Sequence, residues 1–318
     1  MINIIKIKND NYFIYYFIYN NTKIIINQNM SNINIGYTTL LSQHMGKIIK
    51  LDNGNCGQFF TRSPQIFKTI KFNPKDWINI KKDIEESGVK FVIHGSFLIN
   101  FCKNPSSIYY AHNLILEDMK ISSYLDTIGV IIHMGKNTDN ISYQESFNNY
   151  IQNIKHILKI TKNIPNSPML ILETGAGQGK EVATDITELG MLRKNLTLEE
   201  QSRVGFCIDT CHIFTAGYDL RNMDFVNSFE DYIEMSLGWS NVKVIHLNDS
   251  LSKFNQKVDR HEDISYGEIT RTHKYTEAFK KFIKICNSKN IPLVLETPAK
   301  NTDYSKQINL VKNRILNI

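Results

Sequence analysis

Val204-Gly-Phe-Cys-Ile-Asp209-Thr-Cys-His212 is an apolar run that stops on an acid and meets an imidazole three residues later. So short a run reads as a strand buried on both faces, the habit of parallel sheets covered by helices. Asp209 leaves the strand end and His212 follows in the next turn, which lets both side chains point into one opening while binding different metals. The same pattern recurs outward along the chain. His94 ends Phe-Val-Ile, His133 ends Val-Ile-Ile, Glu173 ends Leu-Ile-Leu, His246 ends Val-Lys-Val-Ile and Glu296 ends Leu-Val-Leu. With Ile35 to Leu41 and Cys56 to Thr61, the runs Phe91 to His94, Val130 to His133, Met169 to Glu173, Val204 to Asp209, Val242 to Leu247 and Ile291 to Glu296 make eight. A closed parallel α/β barrel requires eight strands, each followed by a covering helix.

Amphipathic segments fall between the runs, at Trp77 to Ser87, Ser142 to Thr161, Leu198 to Arg203, Phe225 to Leu237 and Tyr275 to Asn287, with Gly88 and Gly190 placed as helix stops. Asn248 to about His273 has too little apolar periodicity for a simple turn, and reads as a functional loop over the barrel mouth. Residues 1–33, rich in Ile, Asn, Lys and Tyr, form an N-terminal extension ahead of a barrel domain at 34–318. That extension is expected to add a strand or hairpin, or to be a poorly ordered tail. Its apolar stretch Tyr12 to Tyr19 is shorter than the roughly 20 residues a bilayer span needs. The chain's 42% hydrophobic and 21% charged residues suit a globular protein with a large core. Its net charge of +6 suits a polyanionic partner without requiring one. Five cysteines with no C-x-x-C pair point to reduced thiols in an intracellular setting. Cys207 and Cys211, although they flank Asp209, are assigned packing roles.

The chemistry lies in the acids and imidazoles. A carboxylate after an aliphatic triplet is costly to bury unless it is paired or bound to a metal, and Glu173 and Glu296 stand in matching positions. Asp259 and His261 are two apart, so in extended chain they face one way, with Arg260 turned to the other side and free for a phosphate. Nine such donors gathered at one barrel end can hold more than one divalent cation. His44, His112, His156 and His273 lie in helical or loop contexts and read as structural or surface residues. Gly175, Gly177 and Gly179 let backbone pass close to a substrate and do not form a nucleotide fingerprint, because no acid follows at the usual distance.

Five segments resemble the endonuclease IV family of apurinic/apyrimidinic endonucleases. They are His94-Gly-Ser-Phe-Leu-Ile-Asn100, Glu173-Thr-Gly-Ala-Gly-Gln-Gly179, Cys207-Ile-Asp-Thr-Cys-His212 with Ala216-Gly-Tyr-Asp-Leu220, His246-Leu-Asn-Asp249 followed by Val258-Asp-Arg-His261, and Leu293-Val-Leu-Glu-Thr297. The resemblance spans roughly residues 33 to 310. It implies a TIM (β/α)8 barrel with three Zn2+ ions. His94, His133 and Glu173 would bind one ion, Glu173 would bridge to a second held also by Asp209, His246 and Glu296, and His212, Asp259 and His261 would take the third. The chain departs from the family pattern at Gly95, at Phe97 and over residues 262–268, which touches the mouth and the DNA contacts but no metal ligand.

The activity implied is hydrolysis of the DNA phosphodiester 5′ to an abasic site, leaving a 3′-hydroxyl and a 5′-deoxyribose phosphate, as in base excision repair. Glu173 and Glu296 are the expected catalytic residues, Glu296 orienting the attacking water. The partner is double-stranded DNA containing abasic sites, since a nucleotide without its base rotates out of the helix at lower cost. Basic residues on the mouth loops, including Lys136, Lys180, Lys253 and Lys257, are candidates for phosphate contact. Arg62, Phe97 and Arg260 are the expected DNA-binding residues. A monomer without membrane attachment is expected, whether in nucleus, cytoplasm or virion. A metal-dependent sugar isomerase on a similar barrel is the alternative, expected to need about two hard-cation sites. A non-catalytic DNA-binding or structural protein of the same fold is the other.

Overall fold

A computed structural model describes residues 3–9, 12–19, 22–29, 33–68 and 70–315. The first three of these segments are strands, β1 (Asn3–Asn9), β2 (Tyr12–Tyr19) and β3 (Thr22–Asn29), paired antiparallel in their own sheet. The described residues of the extension therefore form an antiparallel meander and contribute no strand to the barrel.

The barrel strands are β4 (Ile35–Thr39), β5 (Cys56–Phe60), β6 (Lys90–His94), β7 (Gly129–Ile132), β8 (Met169–Glu173), β9 (Val204–Asp209) and β10 (Val242–His246). After a two-stranded ribbon, β11 (Asp249–Ser250) with β12 (His261–Glu262), the last is β13 (Leu293–Leu295). The eight close in the order β10-β13-β4-β5-β6-β7-β8-β9, each neighbour parallel to the next. Ten α-helices accompany them among the described residues: α1 (Met45–Leu51), α2 (Pro74–Ser87), α3 (Tyr109–Leu125), α4 (Tyr143–Ile160), α5 (Ile186–Lys194), α6 (Leu198–Gln201), α7 (Thr210–Ala216), α8 (Met223–Ser236), α9 (His273–Ser288) and α10 (Tyr304–Leu310). No helix among the described residues is long and apolar enough to cross a membrane.

Alternation along each strand explains where the site must lie. Cys56, Val92, Ile131, Ile171, Cys207, Val244 and Val294, one from each of seven strands, form a buried apolar cluster inside the barrel. On the eighth strand Gly36 takes that level, where any Cβ would lie 1.6 Å from the Cys56 carbonyl oxygen. The next inward position is two residues on. Counting two from these seven gives Gln58, His94, His133, Glu173, Asp209, His246 and Glu296. An apolar plug thus floors a layer of donors at the C-terminal end of the barrel, the end where such folds place chemistry. The outward positions, such as Ile93, Leu172 and Ile245, pack in the main core beneath the helices.

Several sequence expectations shift. β4 ends at Thr39, leaving Leu40 and Leu41 in the loop, and His133 and Glu296 stand one residue past the paired strands. The segment expected at Leu198 to Arg203 is helical only to Gln201. Gly88 does stop α2, in the left-handed conformation at φ 63°. Gly190 does not stop a helix; it sits inside α5 because a Cβ there would lie 2.1 Å from the Ser236 carbonyl oxygen at the end of α8. The sequence pattern does not predict α3. Its buried residues include His112, Asp118 and Ser122 besides aliphatics, which blurs the apolar stripe that would reveal it.

Candidate metal centre

Glu173, wholly buried at the end of β8, is the hub. Its Oε2 lies 3.2 Å from His94 Nε2 and 3.1 Å from His133 Nε2, and its Oε1 lies 2.9 Å from His246 Nδ1. His246 Nδ1 is also 3.0 Å from Glu296 Oε2 and 3.7 Å from Asp209 Oδ2. On the other side, His212 Nε2 and His261 Nε2 face the two oxygens of Asp259 at 3.3 and 3.2 Å. Donor atoms fall into groups within 4.8 Å of one another: His94 with His133 and Glu173; Glu173 with Asp209, His246 and Glu296; and His212 with Asp259 and His261. All nine residues named from the sequence thus lie close together, and a fourth group joins Asp209 and His261 with Cys211.

The chemistry of the donors fits divalent cations. His212 Nε2 and His261 Nε2 are buried and make no hydrogen bond, although a carboxylate oxygen stands close to each. A buried polar atom without a partner is costly, and one aimed among carboxylates is what a bound cation would satisfy. The opposite ring nitrogens are held: Nδ1–H donates to the carbonyl of Gly95 from His94 (2.8 Å), of Thr174 from His212 (2.7 Å) and of Glu296 from His261 (3.1 Å). Such contacts fix the ring and leave Nε2 available as a ligand atom. His246 is reversed. Its Nε2–H donates to Gln58 Oε1 at 2.9 Å, which leaves Nδ1 facing the acids.

For these side chains by themselves, proximity governs ionisation. Burial pushes the Glu173 carboxyl up, but His133 and His246 outweigh it and hold it well below the usual carboxylate range. Burial pulls His212 down, and the carboxylates of Asp209, Asp259 and Glu173 drive it well above an ordinary histidine. His246 is likewise driven well up against burial, by the Cys207 sulfur, Glu296 and Glu173. Against burial, His261 rises to about 9 through Asp209 and Asp259, and His133 rises through Glu173.

Four polar residues complete the layer, and none stands out in the sequence as a metal ligand. Gln58 Nε2 donates to Glu296 Oε1 at 2.5 Å, and Thr38 Oγ1 lies 3.4 Å from the same oxygen. Asn248 donates to Asp209 Oδ2 at 2.7 Å and accepts from the Glu296 backbone N–H at 2.9 Å. Thr174 accepts twice, through its carbonyl from His212 and through Oγ1 from the Asp209 backbone N–H at 3.0 Å. Gln58 carries a usable signal, being polar in the inward phase of Cys-Gly-Gln-Phe-Phe between Cys56 and Phe60.

A cavity of about 250 Å³ opens over the donors, bounded by Thr38, Phe60, Phe97, His133, Asp259 and Glu296 among others. Phe97 is 45% exposed, and its ring stands 5.1 Å from that of His133 and 5.3 Å from that of Phe60. A neighbouring cavity of about 350 Å³ shares Phe97, His133, His212 and Asp259 and continues past Asn100, Lys136 and the Gly175 loop. Gly177 and Gly179 in that loop take left-handed φ of 77° and 71°, the conformation for which glycine is suited. Arg260 is exposed, its Nη1 donating to the Asp259 carbonyl at 2.5 Å.

Arg62 stands differently from expectation. Its side chain is 4% exposed and its Nη2 donates to Asp118 Oδ1 at 2.5 Å, with Thr61 donating to the same oxygen. A buried guanidinium already matched to a carboxylate is not presented to a phosphate, so Arg62 ties the β5 loop to α3. The cysteines take packing places. Cys207 belongs to the apolar plug, and burial pushes its thiol and that of Cys211 up to about 12. Cys211 Sγ nonetheless lies within 4.8 Å of donor atoms of Asp209 and His261. His112 is buried against Asn153 Oδ1 at 2.6 Å, while His44, His156 and His273 are exposed.

The family model for the xylose isomerase-like TIM barrel matches residues 54–314. A putative endonuclease 4 of Acanthamoeba polyphaga mimivirus is 31% identical over 314 residues, covering 90% of this chain and 98% of the relative. The chain belongs to the endonuclease IV family. Among solved structures, endonuclease IV from Thermus thermophilus matches with a TM-score of 0.75 at 21% identity, over 90% of this chain and 100% of that one. A D-tagatose 3-epimerase-like protein matches with a TM-score of 0.67 at 16% identity, over 90% and 97%. At such identities these two likenesses concern the fold. The endonuclease IV membership rests on the sequence relatives.

Proposed function

We propose that this chain is a zinc-dependent apurinic/apyrimidinic endonuclease that hydrolyses DNA 5′ to an abasic site, leaving a 3′-hydroxyl and a 5′-deoxyribose phosphate. The observation that carries the reading is the Glu173 carboxylate, whose two oxygens face two different donor groups while unbonded His212 Nε2 and His261 Nε2 face a third. His94, His133 and Glu173 would hold one ion, Glu173, Asp209, His246 and Glu296 a second, and His212, Asp259 and His261 a third. Zinc in such a site supplies Lewis acidity, making water nucleophilic near neutral pH and offsetting phosphate charge.

The chain's own residues supply position and exclusion. Gln58 and Thr38 hold Glu296 Oε1, so its carboxylate is fixed beside the cavity and can orient the attacking water. The apolar plug below keeps bulk water from the floor of the site. Phe60 and Phe97 narrow the cavity, which favours a sugar stripped of its base over an intact nucleotide. Exposed Arg260 and Lys136 supply positive charge beside the opening. The catalytic unit is residues 34–318, acting as an intracellular monomer on duplex DNA, with residues 1–33 an extension outside it. The sequence relatives named endonuclease 4 and the three donor groups favour this over a sugar isomerase.

The test is a duplex with one tetrahydrofuran abasic analogue, which resists β-elimination and so is nicked only by hydrolysis. Zinc-loaded protein should cut it on the 5′ side to leave a 3′-hydroxyl. DNA left intact by fully loaded, folded protein would sink the assignment.

A further inference from the structure

Six of the nine donors stand on or one residue past barrel strands, and His212 stands in α7 directly after β9. Asp259 and His261 do not. They ride on the mouth segment between Asn248 and His273, so the third donor group depends on what holds that segment. Loops place side chains less rigidly than strands do unless a supporting shell fixes them.

That shell centres on Asp249. Its side chain is wholly buried and accepts from the backbone N–H of Ser250 (2.8 Å), Gly267 (3.1 Å) and Ile269 (3.0 Å) and from the Thr270 hydroxyl. No ion pair to Asp249 occurs among the described residues; three backbone dipoles and a hydroxyl satisfy it, the stronger kind of hydrogen bond because the acceptor is charged. The bonds stitch β11 to residues 18 to 21 positions further on. On the other edge of β11, Asp249 pairs with Glu262 and Ser250 with His261. The strand carrying His261 is thus paired to a strand that Asp249 clamps from behind. Gly267 is part of the device, since a Cβ there would lie against Asp249 Oδ1 at 2.4 Å.

We infer that Asp249 is a positioning residue that sets Asp259 and His261 for the third metal, the other two donor groups being held chiefly by the barrel strands. The inference rests on the reading that these groups hold metal. Removing the carboxylate frees three backbone N–H groups and loosens the ribbon, whereas His94, His133, Glu173, Asp209, His246 and Glu296 keep their strands.

The experiment measures zinc bound per chain after loading and gel filtration, with circular dichroism and the melting temperature as folding controls. Wild type should retain three ions and Asp249→Ala two, with kcat on the tetrahydrofuran duplex reduced about 100-fold or more, the scale of a small misplacement at a site. Asp249→Asn, which keeps an accepting oxygen, should recover part of the third ion's affinity. Should Asp249→Ala fail to fold, Gly267→Ala probes the same clamp by crowding the carboxylate, and should show the same selective loss. Three ions held at wild-type affinity in folded Asp249→Ala, or in Gly267→Ala where it stands in, would overturn the positioning role alone. No zinc in wild type would overturn the metal reading with it.

Discussion

Glu173→Gln should lower incision of a tetrahydrofuran duplex by at least about 1000-fold, roughly 4 kcal/mol of transition-state stabilisation. The substitution keeps shape and volume, so the plug and helices beneath are left alone, but it replaces two anionic oxygens by one weak acceptor and one donor. Oε2 faces His94 and His133 while Oε1 faces His246, so a single change strikes two donor groups at once. Zinc content should fall from three ions towards one, with the His212, Asp259 and His261 set retained. A variant that keeps full turnover and three ions would show that Glu173 does not join the groups. The variant should still fold, because barrel closure depends on strand pairing and apolar layers in which the carboxylate takes no part.

Zinc affinity should fall steeply as pH falls. His133, His212 and His261 are raised by neighbouring carboxylates, His261 to about 9, and His246 by the Cys207 sulfur with Glu296 and Glu173, so these imidazoles hold to higher pH than usual the protons that a metal must displace. The sign is fixed by the direction of the shifts. A raised histidine pKa extends the protonated form upward in pH, and a proton on the ligating nitrogen excludes the cation. Each imidazolium displaced makes the apparent affinity about tenfold weaker per pH unit lowered, so loading of the whole site should change by orders of magnitude between about pH 8 and about pH 6. Chelator competition across that range, paired with calorimetry in two buffers of different ionisation enthalpy, reads both the slope and the protons released. A flat affinity with no proton release would mean that these imidazoles are not the ligands.

The barrel and its donor layer are legible in the sequence because two local rules coincide. Buried parallel strands are apolar on both faces, and the position two beyond the plug on each strand faces inward, so an acid or imidazole ending such a run is conspicuous. Glu173 and Asp209 sit where their runs end, in strands whose bounds match the apolar runs. What escapes depends on contacts distant in sequence. Gln58 finds its role through Glu296, 238 positions away, and Asn248 works by bridging Asp209 to the Glu296 backbone. Arg62 lies on a loop that sequence places at the mouth, yet Asp118 on α3 captures it, and polar residues on the buried face of α3 conceal that helix. Gly190 resembles a helix stop because close packing and chain termination favour the same residue.

Side chains from eight segments meet in one pocket, which we propose loads three divalent ions. Anomalous scattering at the zinc edge from crystals of the zinc-loaded protein tests it most directly. Three peaks are expected, one among His94, His133 and Glu173, one among Glu173, Asp209, His246 and Glu296, and one among His212, Asp259 and His261. No peak in this pocket, from protein that cuts abasic DNA, would contradict the account.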